Sequence, residues 1–215
     1  MNKQLSASLL VLSCAFSASA IASDESKTYF TAGVSHINVD LGFSASGITT
    51  DETDTAPHFT IGYKVDDNFA LEGGLIGPAE ASITASGSAS GTLNGKSLSV
   101  SGAATITAEA DTTYTIGGVY NMSPNDQLSI YAKGGMLWWD VDYVAALSGN
   151  VTYDGTTTSV STSSTIASRD GSDAYYGIGA AYDLSNDLEL RADYTKTEID
   201  SGDIDIVGLS LVSNF

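Results

Sequence analysis

The sequence predicts an all-β protein: an eight-stranded antiparallel up-and-down transmembrane β-barrel with extended extracellular β-hairpins. Three observations carry that expectation. One face of nearly every strand-like segment is aliphatic or aromatic, while the other is small or charged. Short turns exchange regularly with long connections. After residue 22 there is no apolar run near the ~20 residues of a membrane helix and no helical period.

Residues 59–75 show the pattern most clearly. Phe59, Ile61, Tyr63 and Val65 share one face, opposite Thr60, Gly62 and Lys64. After Val65-Asp66-Asp67-Asn68, the residues Phe69, Leu71, Gly73 and Leu75 share a face opposite Ala70, Glu72 and Gly74. Period-two alternation puts each set on one side of a strand, and the polar break suits a tight hairpin turn. In a soluble sandwich the small face would meet water. Here it is mostly Gly, Ala and Thr, which fits the crowded inside of a narrow barrel whose apolar face meets lipid.

Residues 1–22 read as an export signal. Lys3 is its charge, Leu9 to Phe16 its apolar core, and Ala20-Ile21-Ala22 its A-x-A end. Cleavage is expected after Ala22, with Ala20 as the alternative, leaving 23–215 as the barrel. Val11-Leu12-Ser13 before Cys14 is a poor lipid-attachment pattern. Cys14 is the single cysteine, so the exported chain is expected to have neither disulfides nor a catalytic thiol.

Eight strands follow. They are Lys27–Leu41, Ala56–Val65, Phe69 to about Leu93, about Lys96 to Met122, Gln127 to about Tyr153, about Ser159 to Leu184, Leu188–Glu198 and Ile204–Phe215. Short turns are expected after Val65, Met122 and Leu184; long connections lie around 42–56, 80–110 and 144–172, with a brief one at 199–203. Short turns on one side and longer loops on the other mark an outer-membrane barrel. Tyr29, Phe30, Trp138, Trp139, Tyr143, Tyr175, Tyr176, Tyr182, Tyr194 and Phe215 lie near strand ends and suit two interfacial girdles.

Residues 62–74, Ile130 to Trp138, and Leu190-Arg191-Ala192-Asp193-Tyr194 resemble the second and third, fifth, and seventh strands of the OmpA-like eight-stranded outer-membrane β-barrel family. The resemblance runs from about Thr28 to Phe215. It implies residence in the Gram-negative outer membrane, among outer-membrane lipid and lipopolysaccharide. It also implies a C-terminal assembly signal at Phe215, Leu211 and Leu209 that is presented to a barrel assembly machinery, although Ser213 is polar where that signal is usually apolar. No peptidoglycan-binding domain is expected after Phe215. In the family, an inward Glu on the third strand and an inward Arg on the seventh form a central ion pair, and Glu72 and Arg191 match them. The family's inward Lys on the fourth strand has no match, since Thr115, Gly117 and Val119 hold that face. Lys133 on the fifth strand is expected to supply the charge.

The residues themselves extend this network. Lys64, Glu72, Lys133, Glu189, Arg191 and Asp193 all fall on small faces, and charges in a narrow lumen must pair or cost several kcal/mol each. Plugging and stiffening the barrel is the expected role, with a gated ion path as the alternative.

Two long connections read as hairpins. Asn94-Gly95 and Asp154-Gly155 each sit between runs in which Ser or Thr alternates with apolar residues, a strong hairpin cue. At ~3.3 Å per residue and ~45° tilt, a 25-residue strand rises roughly 55–60 Å, whereas the apolar band takes ~25 Å. The two hairpins should therefore stand roughly 30 Å clear and pair side by side into one sheet. That sheet would be Ser/Thr-rich with Ile83, Leu98, Val100, Ile106, Val151, Val160 and Ile166 interspersed, suited to touching other cells, proteins or glycans. The rim should be lopsided, because the first, second, seventh and eighth strands end lower.

The net charge of −18 argues against nucleic acid, since there is no basic patch to release counterions. His36 and His58 lie near Asp51, Glu52 and Asp54, but without metal-ligand spacing; rim histidines are the expectation, with no metal and no cofactor. Neither histidine has a Ser or carboxylate at a spacing that marks nucleophile and base. The reading is therefore a non-enzymatic structural and surface-interaction protein, with a small passive pore as the alternative and a lipid A or peptide hydrolase behind it.

Overall fold

The structure, a computed structural model, describes residues 27–42, 45–123, 125, 127–199 and 202–214. The predicted signal segment and Phe215 lie outside them. The strands are β1 (Thr28–Val39), β2 (Ile48–Asp51), β3 (Thr53–Lys64), β4 (Phe69–Ile76), β5 (Ala79–Leu93), β6 (Lys96–Ala110), β7 (Thr113–Met122), β8 (Leu128–Tyr153), β9 (Thr156–Ser185), β10 (Leu188–Ile199) and β11 (Gly202–Asn214).

Antiparallel pairing closes a ring. β1 pairs with β3, β3 with β4, β4 with β7, β7 with β8, β8 with β9, β9 with β10, β10 with β11, and β11 returns to β1. These are the eight staves of an up-and-down barrel. The alternation of the sequence becomes its two faces. Ile61, Leu71, Ile116, Met136, Tyr176, Ile178, Val207 and Leu209 are exposed, on the side that meets lipid. Tyr29, Ala70, Val119, Tyr131, Ala181 and Val212 are buried inside.

Four staves continue beyond the ring, β8 and β9 without interruption and the other two across a break. β4 runs on into β5, and β6 into β7, each with a break where sequence reading drew one strand. The β4–β7 ladder stops at Ile76↔Thr113 and the β5–β6 ladder begins at Ala79↔Ala110. Between them stand Gly77 and Pro78, and Pro78 has no N–H for the ladder. Above the break, β5 pairs with β6 up to Leu93↔Lys96, and β6 pairs with β8 from Ala110↔Val141 to Leu98↔Tyr153. β8 also pairs with β9 up to Tyr153↔Thr156. The two hairpins thus form one raised sheet, and the rim is lopsided. Both tips carry positive φ at both central residues, Asn94 and Gly95, Asp154 and Gly155, as a two-residue I′ turn demands.

Some boundaries differ from the sequence reading. The connection at 42–56 contains β2, which pairs with Ser82–Ala85 of β5. The second stave starts at Thr53 and the sixth at Thr156. β8 leaves β7 at Trp138 and joins β6 at Val141, and a bulge between Tyr143 and Val144 interrupts the β8–β9 ladder just above that changeover.

Candidate functional site

The inward positions of β10 are Glu189, Arg191 and Asp193, spaced by two. Across the lumen stand Glu72 of β4, Tyr29 of β1, and Tyr131 and Lys133 of β8. Arg191 is 7% exposed. Its Nη1 donates to Glu72 Oε1 at 2.9 Å and its Nε donates to Glu189 Oε1 at 2.5 Å. The guanidinium lies 5.0 Å from the centre of the Tyr29 ring and 5.3 Å from that of Tyr131, in cation–π range. The Tyr29 hydroxyl donates to the same Glu72 oxygen at 2.6 Å. One cation is therefore met by two carboxylates and two rings, as an ion needs when water is excluded.

Lys133 pairs with Asp193, and Thr195 Oγ1 donates to the same Asp193 oxygen at 3.1 Å. Beside these pairs lies a polar cavity of about 80 Å³ lined in part by Thr31, Ser35, His58, Glu72 and Arg191, roomy enough for ordered water. An eight-stranded interior is only wide enough for side chains, so these groups occlude it.

Of the network predicted from sequence, Glu72, Arg191, Glu189, Lys133 and Asp193 come together. Lys64 does not join them. It is exposed at the mouth on the short-turn side, where its Nζ donates to Asn214 Oδ1 at 2.8 Å and lies 5.9 Å from the Tyr29 ring centre. Leu209 is exposed and Leu211 half-buried on the lipid-facing side of β11, while Phe215 falls outside the described residues. The hairpin tips are linked by Lys96 Nζ to Asp154 Oδ2 at 2.5 Å.

Several aromatics assigned to the girdles point inward instead. Tyr29 and Trp139 are buried, Tyr175 lines the polar cavity, and Tyr143 packs against the lumen cluster of Leu137, Trp139 and Val141. The signal that finds them is an inward glycine on the next strand. Tyr29 stands opposite Gly62, Tyr131 opposite Gly179 and Trp139 opposite Gly171. A Cβ at Gly62 would sit 2.0 Å from the Tyr29 ring, so the ring fits only because nothing is there. His58 is also no rim residue: it lines the polar cavity, and its Nδ1 is 2.9 Å from Ser35 Oγ. His36 is exposed, 3.3 Å from Thr55 Oγ1. Among the described residues, no three of His, Cys, Asp and Glu group as metal ligands would.

The profile of the outer membrane protein beta-barrel domain matches residues 7–215. No curated protein matches the sequence significantly. Similar solved structures include Ail, the attachment invasion locus protein of Yersinia pestis, in complex with the heparin analogue sucrose octasulfate. It is 14% identical over 89% of this chain and 100% of that one, with a TM-score of 0.49. Neisserial surface protein A is 10% identical over 88% and 98%, with a TM-score of 0.46. The N-terminal barrel of Pseudomonas aeruginosa OprF is 12% identical over 89% and 100%, with a TM-score of 0.48.

Proposed function

Because the chain belongs to the outer membrane protein β-barrel domain family, and so to the Gram-negative outer membrane, we propose that it is a plugged anchor carrying a raised sheet for contact with other cells, proteins or glycans. The observation behind this reading is the continuity of β8 and β9. They run unbroken as Leu128–Tyr153 and Thr156–Ser185, far longer than the ~9–11 residues a membrane strand needs. Their upper halves pair with β6 and with each other rather than trailing as loops. A chain that only had to seal a barrel would have no use for that ordered length.

The passive-pore reading meets the ion network. A solute crossing the lumen would have to displace Arg191 from Glu72 and Glu189 together. The hydrolase reading meets burial. The Ser35–His58 hydrogen bond lies inside the lumen with Ser35 only 3% exposed, out of reach of a lipid or peptide carbonyl.

Adherence and conductance test the proposal. One variant shortens the hairpins to the levels of Ala81↔Ala108 and Tyr143↔Ala167. Cells displaying the full chain should bind glycan- or protein-coated surfaces better than cells displaying that variant, at equal amounts of folded barrel. Equal adherence on every coating sinks the surface role. In planar bilayers the intact chain should give no discrete conductance steps; regular steps would favour the pore instead.

A further inference from the structure

The interior of an outer-membrane barrel is expected to be polar, yet the outer end of this lumen is not. Two apolar walls face one another there without meeting. One holds Ile37, Ala56 and Ile206, with Val39 and Ile204 against them. The other holds Leu137, Trp139 and Val141, with Ala108, Ala110 and Ile199 against them. Between the walls is a cavity of about 340 Å³, within the size range of small-molecule pockets. Its floor is aliphatic, because Ile76, Leu137 and Ile206 border both this cavity and the polar one beneath. The ion network is therefore shielded from whatever enters above.

Among the described residues, the charged ones that line the mouth are Asp40, Asp54 and Glu80, while Arg169 stands beside it, opposite Val141 in the β8–β9 ladder. Two of these carboxylates are fixed by backbone donors. Asp40 Oδ1 accepts from the N–H of Gly42 at 2.8 Å, and Asp54 accepts from the N–H groups of Thr55 at 2.7 Å and Glu80 at 2.8 Å. Apolar walls exposed to water favour a hydrocarbon occupant, and an anionic rim over a low-dielectric cavity favours a cationic head and repels an anionic one.

We propose that the outer end of the lumen binds a cationic amphiphile with a single hydrocarbon tail, the tail between the two walls and the head among Asp40, Asp54 and Glu80. This site is independent of the raised sheet's role. A chain that failed every adherence assay could still hold such a ligand.

The placement of the isoleucines makes the test self-controlled. Ile37, Ile199 and Ile204 line the cavity, whereas Ile61, Ile116 and Ile178 are exposed on the lipid-facing side. Isoleucine-methyl NMR of the full chain in lipid nanodiscs, titrated with decyltrimethylammonium, therefore separates binding from partition into lipid. Cavity methyls should shift saturably while lipid-facing methyls drift without saturation. Decyl sulfate should bind about tenfold more weakly or worse, and Asp40→Asn with Asp54→Asn should close that gap. Within the cavity's length, each added methylene should tighten binding about fourfold. Ala110→Phe, which fills the cavity from β6, should abolish saturation. Three results overturn the proposal: cavity methyls that merely track the lipid-facing ones, equal saturation by both head groups, or saturation unchanged in Ala110→Phe. Should that variant fail to fold, the methyl response of the unaltered chain decides alone.

Discussion

The closed ring and the raised sheet are built on the same period of two and the same kind of ladder, but they differ in what fixes their register. In the ring, one face meets lipid and the other a packed lumen, so a slip of one residue would turn Arg191, Glu72 and Tyr29 toward hydrocarbon. Register there is enforced by side chains. In the raised sheet both faces of β5 above Ala85 and of β9 above Gly171 are exposed, and alternating Ser and Thr offers little penalty for a slip. There the two-residue turns and the continuity of β8 and β9 with the ring must set the register. Side-chain changes should therefore matter most in the ring, and backbone and turn changes in the sheet.

The largest effect should come from the lumen. Glu72→Ala leaves Arg191 with one carboxylate fewer and the Tyr29 hydroxyl without its acceptor. Breaking a buried pair costs roughly 3–5 kcal/mol, read as a loss of unfolding free energy in urea with the barrel in lipid vesicles. Conductance should rise as water enters. An unchanged unfolding midpoint would mean that the network is not what holds the lumen.

Glycine substitutions compare the two regions directly. Gly62→Ala puts a methyl into the Tyr29 ring and should cost about 1–3 kcal/mol as overpacking does. At Gly87 nothing lies within 4 Å of an added Cβ, so Gly87→Ala should be neutral or stabilise by up to about 1 kcal/mol through the unfolded chain. Similar losses at both sites, in the same urea assay, would remove the contrast.

A smaller effect is expected at the tip. Gly95 has φ of +76°, where a side chain costs about 1–2 kcal/mol. Gly95→Ala should speed hydrogen exchange over 86–102 while leaving exchange in the ring unchanged. The smallest concerns Lys96 and Asp154, whose side chains are about half exposed. Lys96→Ala should cost only ~0.2–1 kcal/mol, measured as a salt-sensitive change in exchange at both tips together. A change at one tip alone would show that the pair does not couple them.

What could be read from the sequence follows the same division. The ring was legible because hydrophobic alternation separates a lipid-facing side from a lumen side, as in Phe59–Val65 against Thr60–Lys64. Both raised hairpins were legible because Asn94-Gly95 and Asp154-Gly155 need positive φ. The break at Gly77-Pro78 was hidden, since alternation continues on either side of it. β2 was hidden because four residues, Ile48–Asp51, are too few to show a period. In the site, the charges of β4, β8 and β10 could be assigned to the lumen by parity. Tyr29, Trp139 and Tyr175 could not, because an aromatic's parity near a strand end is easily read as a girdle position. What turns them inward is a glycine on the neighbouring strand, a relation that exists only once the register is known. Lys64 has the right parity but the wrong height, and sequence alternation carries no information about depth.

The unbroken run of β8 and β9 from the short-turn side to the tip has a mechanical consequence. A partner tugging on the Asp154-Gly155 end pulls along both strands. Their outer neighbours, β6 from Leu98 to Ala110 and β10 from Leu188 to Thr197, oppose that pull along the length of their ladders. Hydrogen bonds loaded this way share the force and yield together, whereas a hinged loop would peel one bond at a time. The tip is therefore fastened like a lap joint, and drag on the cell surface would reach the membrane-embedded wall before the raised sheet gave way.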